Sequence, residues 1–179
     1  DVLILTKPLG IGIATTALKA DMLDPTAERY VVDVMKALNK QASEAAVEVG
    51  VSSITDITGF GLLGHAMEMA EASKVTLKIS AGLLQVLPGI REIAAMGLLP
   101  GGLHHNKKYL KGKVNISSMV PEDLSDICFD PQTSGGLLIS VNRDKAPALI
   151  SLLKTKGVKD SIVIGEVLEP SEYGILLET

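Results

Sequence analysis

Short apolar runs rich in β-branched residues alternate along the chain with stretches in which apolar residues recur at helical spacing. The strand-like runs lie at 1–6, 51–57, 75–79, 136–142, 161–167 and 173–178. Helical patterns lie at 62–73, 89–96 and 145–156. Because strands alternate with helices instead of being segregated from them, the pattern predicts α/β layers on one sheet.

The longest helical pattern runs from 25 to 50. Asp24 is a residue type that caps helix N-termini, and Pro25 suits a first turn. One apolar stripe then continues to Gly50, formed by Val31, Val34, Met35, Leu38, Ala42, Ala45, Ala46 and Val49. We therefore expect a single long helix, whose Ala-rich second half lets another backbone pack closely.

Composition indicates one domain with apolar surface to spare. The chain has 179 residues, of which 46% are hydrophobic, and this is generous for one core of that size. The surplus predicts burial against a further domain. Since the chain starts in a strand-like run without an initiator Met, we expect 1–179 to be a fragment cut at a domain boundary.

Cysteine usage and hydropathy bear on the cellular setting. Cys128 is the single cysteine, so no internal disulfide forms and a reducing cytoplasm is expected. Between Ile127 and Phe129 it is predicted to be a small buried hydrophobe and not a nucleophile. No run approaches the roughly 18 apolar residues of a membrane span, so we expect no membrane partner.

Charge is distributed unevenly along a chain whose net charge is −4. No Asp or Glu occurs from 93 to 121, where Lys107, Lys108, Lys111 and Lys113 cluster. Such a patch could steer an anionic substrate or RNA, but a solvated loop is the favoured interpretation. With aromatic residues at 3% of the chain, a platform for nucleic acid is not expected.

The most informative segment begins with Asp56 at the end of a predicted strand and continues through Thr58 and Gly59 into a predicted helix. A helix N-terminus offers unbonded N–H groups and a positive dipole end to an anion. Asp56 stands directly before this turn, where a carboxylate can hold a hard cation beside the anion. The alternative is that Asp56 caps the helix.

Gly59, Gly61 and Gly64 also have the GxGxxG spacing of dinucleotide-binding proteins. That fingerprint needs an acidic residue about twenty positions on, at the end of the next strand, and the run at 75–79 ends without one. A Walker-type loop fails as well, because no Gly-Lys-Ser/Thr follows the glycines. A tight turn that needs glycine only for its backbone and for packing stays open, and we favour it for Gly64.

A second segment of interest, at 130–136, combines Pro131, Thr133 and Ser134 with two glycines before an apolar strand. Hydroxyls and open amides in that order can form an anion-binding concavity. The same residue types also favour an ordinary turn. The sequence leaves both interpretations open.

Three strings of residues resemble the C-terminal half of selenophosphate synthetase. They are LTKPLG at 5–10, DITGFGLLGH at 56–65 and DPQTSGGLL at 130–138. The strings are long, specific to that family and spread over most of the chain. PGGLHHN at 100–106 is also similar, but the family more often has Thr and Arg where Leu103 and His105 stand, so no anion contact is carried over to His105.

The resemblance implies a three-layer α/β/α domain with a mixed sheet, partly ferredoxin-like. It implies an enzyme that makes selenophosphate, AMP and phosphate from ATP, selenide and water, for selenocysteine synthesis and selenium-modified tRNA. By carry-over, Asp56 is a Mg²⁺ ligand, and Thr58 and Gly59 face the same phosphates. The catalytic Cys or selenocysteine lies in the family's N-terminal domain, so no catalytic residue is expected in 1–179.

The partners implied are therefore the chain's own N-terminal domain, a second copy in a homodimer, ATP and selenide. Two alternatives stay open. The chain could belong to another ATP-dependent member of the aminoimidazole ribonucleotide synthetase superfamily, acting on a ribonucleotide or thiamine phosphate. It could also be a dimerisation module without chemistry of its own.

Overall fold

The computed structural model describes residues 1–179 as seven strands and eight α-helices. The strands are β1 Val2–Leu5, β2 Ser53–Asp56, β3 Thr76–Ser80, β4 Val114–Ile116, β5 Leu137–Val141, β6 Ile162–Leu168 and β7 Ile175–Glu178. The helices are α1 Ile11–Lys19, α2 Pro25–Lys36, α3 Lys40–Val49, α4 Gly61–Ser73, α5 Ile90–Ala95, α6 Gly101–Tyr109, α7 Glu122–Phe129 and α8 Ala146–Thr155. None of these helices is long and apolar enough to cross a bilayer.

All seven strands belong to one mixed sheet in the order β2-β5-β1-β6-β3-β7-β4. The pairings from β2 through to β3 are antiparallel, whereas β7 is parallel to both β3 and β4. Within the sheet, β1, β2, β5 and β6 have the strand order of a ferredoxin-like βαββαβ unit, with α3 leading into β2 and α8 joining β5 to β6. The expected mixed, partly ferredoxin-like sheet is confirmed.

Apolar side chains cover both faces of this sheet. Side chains alternate along a strand, so Leu3 and Leu5 of β1 enter one buried cluster and Val2 and Ile4 enter another. The first cluster has 35 buried residues, and the second has 11, contributed largely by β1, β5, α3 and α8. Helices on both faces produce the three α/β/α layers implied by the resemblance.

The strands and helices predicted from apolar periodicity are confirmed, with ends shifted by at most two residues, except for the long helix over 25–50. That prediction is wrong, because α2 ends at Lys36 and α3 begins at Lys40. The break is held by contacts from distant parts of the chain. Lys7 Nζ donates to the Ala37 carbonyl at 2.7 Å, and Asn39 Nδ2 donates to the Gly135 carbonyl at 2.9 Å.

The predicted cap and the predicted apolar stripe of the 25–50 region have different outcomes. The predicted cap is confirmed, since the Asp24 carboxylate accepts the Thr26 N–H at 2.7 Å. Leu38, placed in the apolar stripe, is 73% exposed. Ala42, Ala45 and Ala46 are buried within the smaller cluster beside α8. The close packing that these alanines permit is therefore used inside the domain.

Several elements were not predicted: α1, α6, α7 and β4. The solvated loop expected for the basic segment is wrong over Gly101–Tyr109, which is helical. Lys107 of α6 forms an ion pair with the buried Asp126 of α7. Gly101 and Gly102 at the start of the segment are poor helix formers, and the pairing between α6 and α7 has no local sequence signal.

Candidate functional site

Asp56 ends β2 at an edge of the sheet, where β2 pairs only with β5. Its carboxylate is exposed and takes part in no hydrogen bond or ion pair. The side chain lines an open groove between β2 and the start of α3, together with Asn39, Lys40, Ser43, Ile54, Thr55 and Leu137. Because Asp56 lies in a strand and α4 has no side-chain cap, the capping alternative for Asp56 is wrong.

The N-terminal end of α4, directly after Asp56, is open. The backbone N–H groups of Thr58, Gly59 and Phe60 donate no hydrogen bond within the chain. The loop itself is fixed from the other side, since the Thr58 carbonyl accepts the Gly61 and Gln132 N–H groups at 3.0 and 2.9 Å. Unbonded amides at a helix N-terminus form a site for an anion.

The first helical turn of α1 is the opposite case, because its amides are already occupied. Gln132 Oε1 accepts the Gly10 and Ile11 N–H groups, each at 3.2 Å. Asp130 Oδ2 accepts the Gly12 N–H at 2.9 Å. The side chains of Asp130 and Gln132 therefore cap a helix of the same domain. The exposed Thr133 and Ser134, whose hydroxyl and amide groups belong to the anion interpretation, donate no hydrogen bond within the chain.

Burial dominates the chemistry of Asp130. The residue has no exposed surface, and this raises the pKa of its carboxyl group to about 7 despite hydrogen bonds from Gly12 and Gln132. Cys128, two residues earlier, is also fully buried, and desolvation raises the pKa of its thiol to about 12. A thiol that stays protonated and out of solvent is a poor nucleophile, as the sequence predicted.

The three glycines of the GxGxxG spacing have different reasons to be glycine. Gly61 has φ +69°, and a Cβ there would lie 2.9 Å from the Phe129 carbonyl oxygen; a Cβ at Gly64 would lie 2.5 Å from the Phe60 Cβ. A Cβ at Gly59 would meet nothing within 4 Å. Packing thus explains Gly61 and Gly64, as favoured for the latter, and leaves Gly59 exposed beside the open amides.

The topology also excludes the dinucleotide interpretation of these glycines. That fold needs parallel strands at the site where the glycine loop joins strand to helix. Here β2 is an edge strand and is antiparallel to β5, its one neighbour. The parallel strands β7 and β4 lie at the other end of the sheet, with four strands between β2 and β7.

Thr58 is held by a chain of hydrogen bonds through the start of α4. Its Oγ1 lies 2.9 Å from His65 Nε2, and His65 Nδ1 lies 2.9 Å from Glu68 Oε2. An ionised Glu68 can only accept, so Nδ1 carries a proton, and in neutral imidazole Nε2 then accepts the Thr58 hydroxyl proton. This arrangement fixes the Thr58 side chain and keeps its oxygen lone pairs available to a cation or donor.

A hard cation would find one strong ligand here. No group of three or more His, Cys, Asp or Glu side chains in the chain could hold a metal. Mg²⁺ is commonly held by one or two carboxylates, with phosphate oxygens and waters in its other positions. The unpaired Asp56 carboxylate, close in sequence to amides open to phosphate, fits that pattern, whereas Thr58 and Gly59 are not part of the groove that Asp56 lines.

The basic segment is partly neutralised by neighbours. Besides the pair with Asp126, Lys113 is 3.0 Å from Glu71 and lies over the Tyr109 ring, at 4.8 Å from its centroid. Tyr109 stacks in turn near Phe60, with ring centroids 6.4 Å apart. His104 and His105 are exposed on α6.

A family model described as AIR synthase related protein, C-terminal domain, matches residues 1–178. The chain belongs to this family. Among curated members, the selenide, water dikinase of Caldanaerobacter subterraneus subsp. tengcongensis is 53% identical over 98% of this chain and 51% of its own length. Selenide, water dikinase 2 of Peptoclostridium acidaminophilum is 45% identical over 99% of this chain and 51% of its own length. The chain spans about half the length of these relatives.

Solved structures similar to this AIR synthase related domain share its fold. Escherichia coli HypE, a hydrogenase maturation protein, matches with TM-score 0.69 and 23% identity over 98% of this chain and 45% of that chain. A HypE in complex with ATP has TM-score 0.64 at 15% identity, covering 98% and 46%. Thiamine-monophosphate kinase from Stenotrophomonas maltophilia K279a has TM-score 0.64 at 13% identity, covering 99% and 49%.

Residues that support the site in this AIR synthase related domain were missed from sequence. They are His65 and Glu68, which hold Thr58, and Asn106, whose Nδ2 donates to the Gly59 carbonyl at 3.0 Å. A histidine at the end of a glycine-rich helix start, with a Glu three residues on, was the available signal for the first two. Asn106 belongs to a helix that was not predicted, so nothing local indicated its contact.

Proposed function

We propose that residues 1–179 form the C-terminal domain of a selenide, water dikinase, which makes selenophosphate, AMP and phosphate from ATP, selenide and water. Relatives of that name at 53% and 45% identity, about twice as long as this chain, support the proposal. The likeness to thiamine-monophosphate kinase, at 13% identity, supports the fold alone and does not favour that alternative substrate.

The observation that carries the proposal is the unbonded Asp56 carboxylate, which stands two residues before the unbonded amides at the start of α4. Asp56 is the proposed Mg²⁺ ligand, working with carboxylates from the N-terminal half. Mg²⁺ would supply charge neutralisation at the phosphates of ATP. Thr58 and Gly59 are proposed to face those phosphates through their unbonded amides, and the fixed Thr58 side chain keeps the loop in a geometry ready for binding.

The proposed partners are an N-terminal domain of the same protein and a second copy in a homodimer, in the cytoplasm. Large apolar side chains that remain exposed on β2, on α3 and directly before α3 support a docked neighbour: Ile54 is 42%, Val47 79% and Leu38 73% exposed. The single buried cysteine is compatible with a reducing compartment.

The test is selenide-dependent formation of AMP from ATP. The longer protein that contains this domain should form AMP with selenide and Mg²⁺, and should not phosphorylate thiamine monophosphate. The isolated chain should show no turnover, because phosphoryl transfer needs metals and cationic clamps that one carboxylate and one loop do not supply. AMP formation by the pure 179-residue chain would contradict the assignment of chemistry to the N-terminal half, and thiamine monophosphate kinase activity of the longer protein would contradict the proposed substrate.

A further inference from the structure

Lys7, directly after β1, carries a positive charge that the domain does not neutralise. The residue is only 7% exposed. Its ammonium donates to the Ala37 and Ser134 carbonyls at 2.7 and 2.8 Å, and no carboxylate lies within ion-pair distance. An ammonium has three N–H donors, so one donor remains. Burial lowers the pKa of Lys7, as expected where desolvation is not offset by an acid.

The position of Lys7 is fixed tightly by its neighbours. A Cβ at Gly136 would lie 2.6 Å from the Lys7 backbone nitrogen and 2.9 Å from its Cβ. The preceding Thr6 accepts the Leu137 N–H at 2.8 Å through its hydroxyl. The backbone of Lys7 is therefore closely packed at the strand end, and the hydrogen bonds to the Ala37 and Ser134 carbonyls order its side chain before any ligand binds.

A pocket of about 350 Å³ opens over this part of the chain. Its walls are the break between α2 and α3, the start of α3 and the segment 156–160 after α8. Besides Lys7 the polar lining is Thr6, Asn39, Gln41, Lys156, Lys159 and Asp160, and Val34, Leu38 and Val158 contribute apolar surface.

Charge in the pocket is unbalanced toward positive. Lys156 is paired with Glu48 at 3.3 Å, whereas neither Lys7 nor Lys159 has an acidic partner, and Asp160 is the single acid in the lining. A buried, uncompensated ammonium in a pocket with a second unpaired lysine has the electrostatics of an oxyanion site, for which lysine acts as a point charge. The apolar wall adds room for a small organic body.

We propose that this pocket, bounded by Lys7 and Lys159, binds a phosphate group, either inorganic phosphate or the phosphoryl group of a small metabolite. It is distinct from the groove of Asp56. Asn39 lines both, so the two sites adjoin at the start of α3, and the proposal does not depend on the proposed enzymatic activity.

The experiment is calorimetric titration of the longer protein with inorganic phosphate at constant ionic strength. Lys7→Met should weaken phosphate binding by at least about tenfold, and Lys159→Gln by about threefold, because each removes one cation. Lys154→Gln is the matched control, since Lys154 is exposed on α8 and does not line the pocket. Glucose 1-phosphate and acetate serve as further probes.

Because Lys7 also holds the α2–α3 break, the fold of Lys7→Met is compared with that of wild type by circular dichroism. If Lys7→Met does not fold, Lys159→Gln carries the test. Asp56→Asn should keep the wild-type affinity for phosphate, whereas Lys159→Gln should bind phosphate about threefold more weakly. This difference separates the pocket from the nucleotide site. Binding of glucose 1-phosphate as strong as that of phosphate would identify a phosphoryl metabolite, and selective binding of phosphate would identify the free ion. No phosphate binding, equal affinity in wild type and both lysine variants, loss in Asp56→Asn alone, or acetate binding as tight as phosphate would overturn the proposal.

Discussion

Thr58 Oγ1 and His65 Nε2 lie 2.9 Å apart, which ties the open loop after β2 to the first turns of α4. His65 is 7% exposed and Glu68 holds its other ring nitrogen. Because the hydrogen bond is partly buried, removing one partner leaves the other without its contact. The pair therefore sets the geometry of the residues that we propose to face phosphate.

A double-mutant cycle measures this coupling directly. Thr58→Val and His65→Ala, made singly and together, should show an interaction free energy of about 0.5 to 1.5 kcal/mol in urea unfolding. Thr55→Val is the control, since its hydroxyl contacts only the neighbouring Asp56 carbonyl at 3.4 Å. Additive effects of Thr58→Val and His65→Ala would show that the contact does not stabilise the loop.

Glycine substitutions should distinguish a position where packing requires glycine from one where it does not. Gly61→Ala should destabilise the domain by about 1 to 3 kcal/mol, because a positive φ and a close approach to Phe129 both oppose a Cβ. Gly59→Ala should change the free energy of unfolding by less than about 1 kcal/mol, since nothing lies near its Cβ. Thermal or urea unfolding of both variants tests the difference, and an equal loss of stability would contradict it.

The stability of the domain should depend on pH through Asp130. Its folded pKa of about 7 lies above the usual value of 3.8, so between these values the folded chain keeps a proton that the unfolded chain releases. Stability therefore falls as the pH rises through this window. The cost is fully present above pH ~7, absent below pH ~4, and on the order of 4 kcal/mol.

Asp130→Asn removes this titration while its side-chain oxygen can still accept the Gly12 N–H. We expect the free energy of unfolding of the variant to vary less between pH 5 and 8 than that of wild type. Urea titrations at both pH values provide the measurement. Parallel pH dependences in the two proteins would show that another group is responsible.

Local sequence patterns predicted the elements whose signal is local. A short apolar run predicted β5, and apolar residues at helical spacing predicted α8. The strand end at Asp56 followed from the switch between strand and helix periodicity. The break between α2 and α3 did not follow, because Lys7 and Gly135, which hold it, are distant in sequence. The capping of α1 by Gln132 was hidden for the same reason.

The candidate site shows the same division. Sequence identified Asp56, Thr58 and Gly59 as neighbours at a strand-to-helix turn. It could not show that the Thr58 and Gly59 amides stay unbonded while those of Gly10 and Ile11 are taken, because this depends on which side chains arrive from elsewhere in the fold.

The central claim is that Asp56 ligates Mg²⁺ at the phosphates of ATP, and Asp56→Asn in the longer protein tests it. An amide has nearly the same shape as the carboxylate but lacks its charge, and Asp56 has no partner to lose, so the melting temperature should not change. Asp144→Asn is the control, because Asp144 is exposed beyond the opposite end of β5.

The decisive measurement is Mg²⁺-dependent ATP binding together with selenide-dependent AMP formation. In Asp56→Asn the Mg²⁺-dependent affinity should fall by more than about tenfold, which corresponds to about 1.4 kcal/mol, and most turnover should be lost while Asp144→Asn stays at wild-type levels. An Asp56→Asn protein with wild-type Mg²⁺ dependence and wild-type turnover would contradict the account.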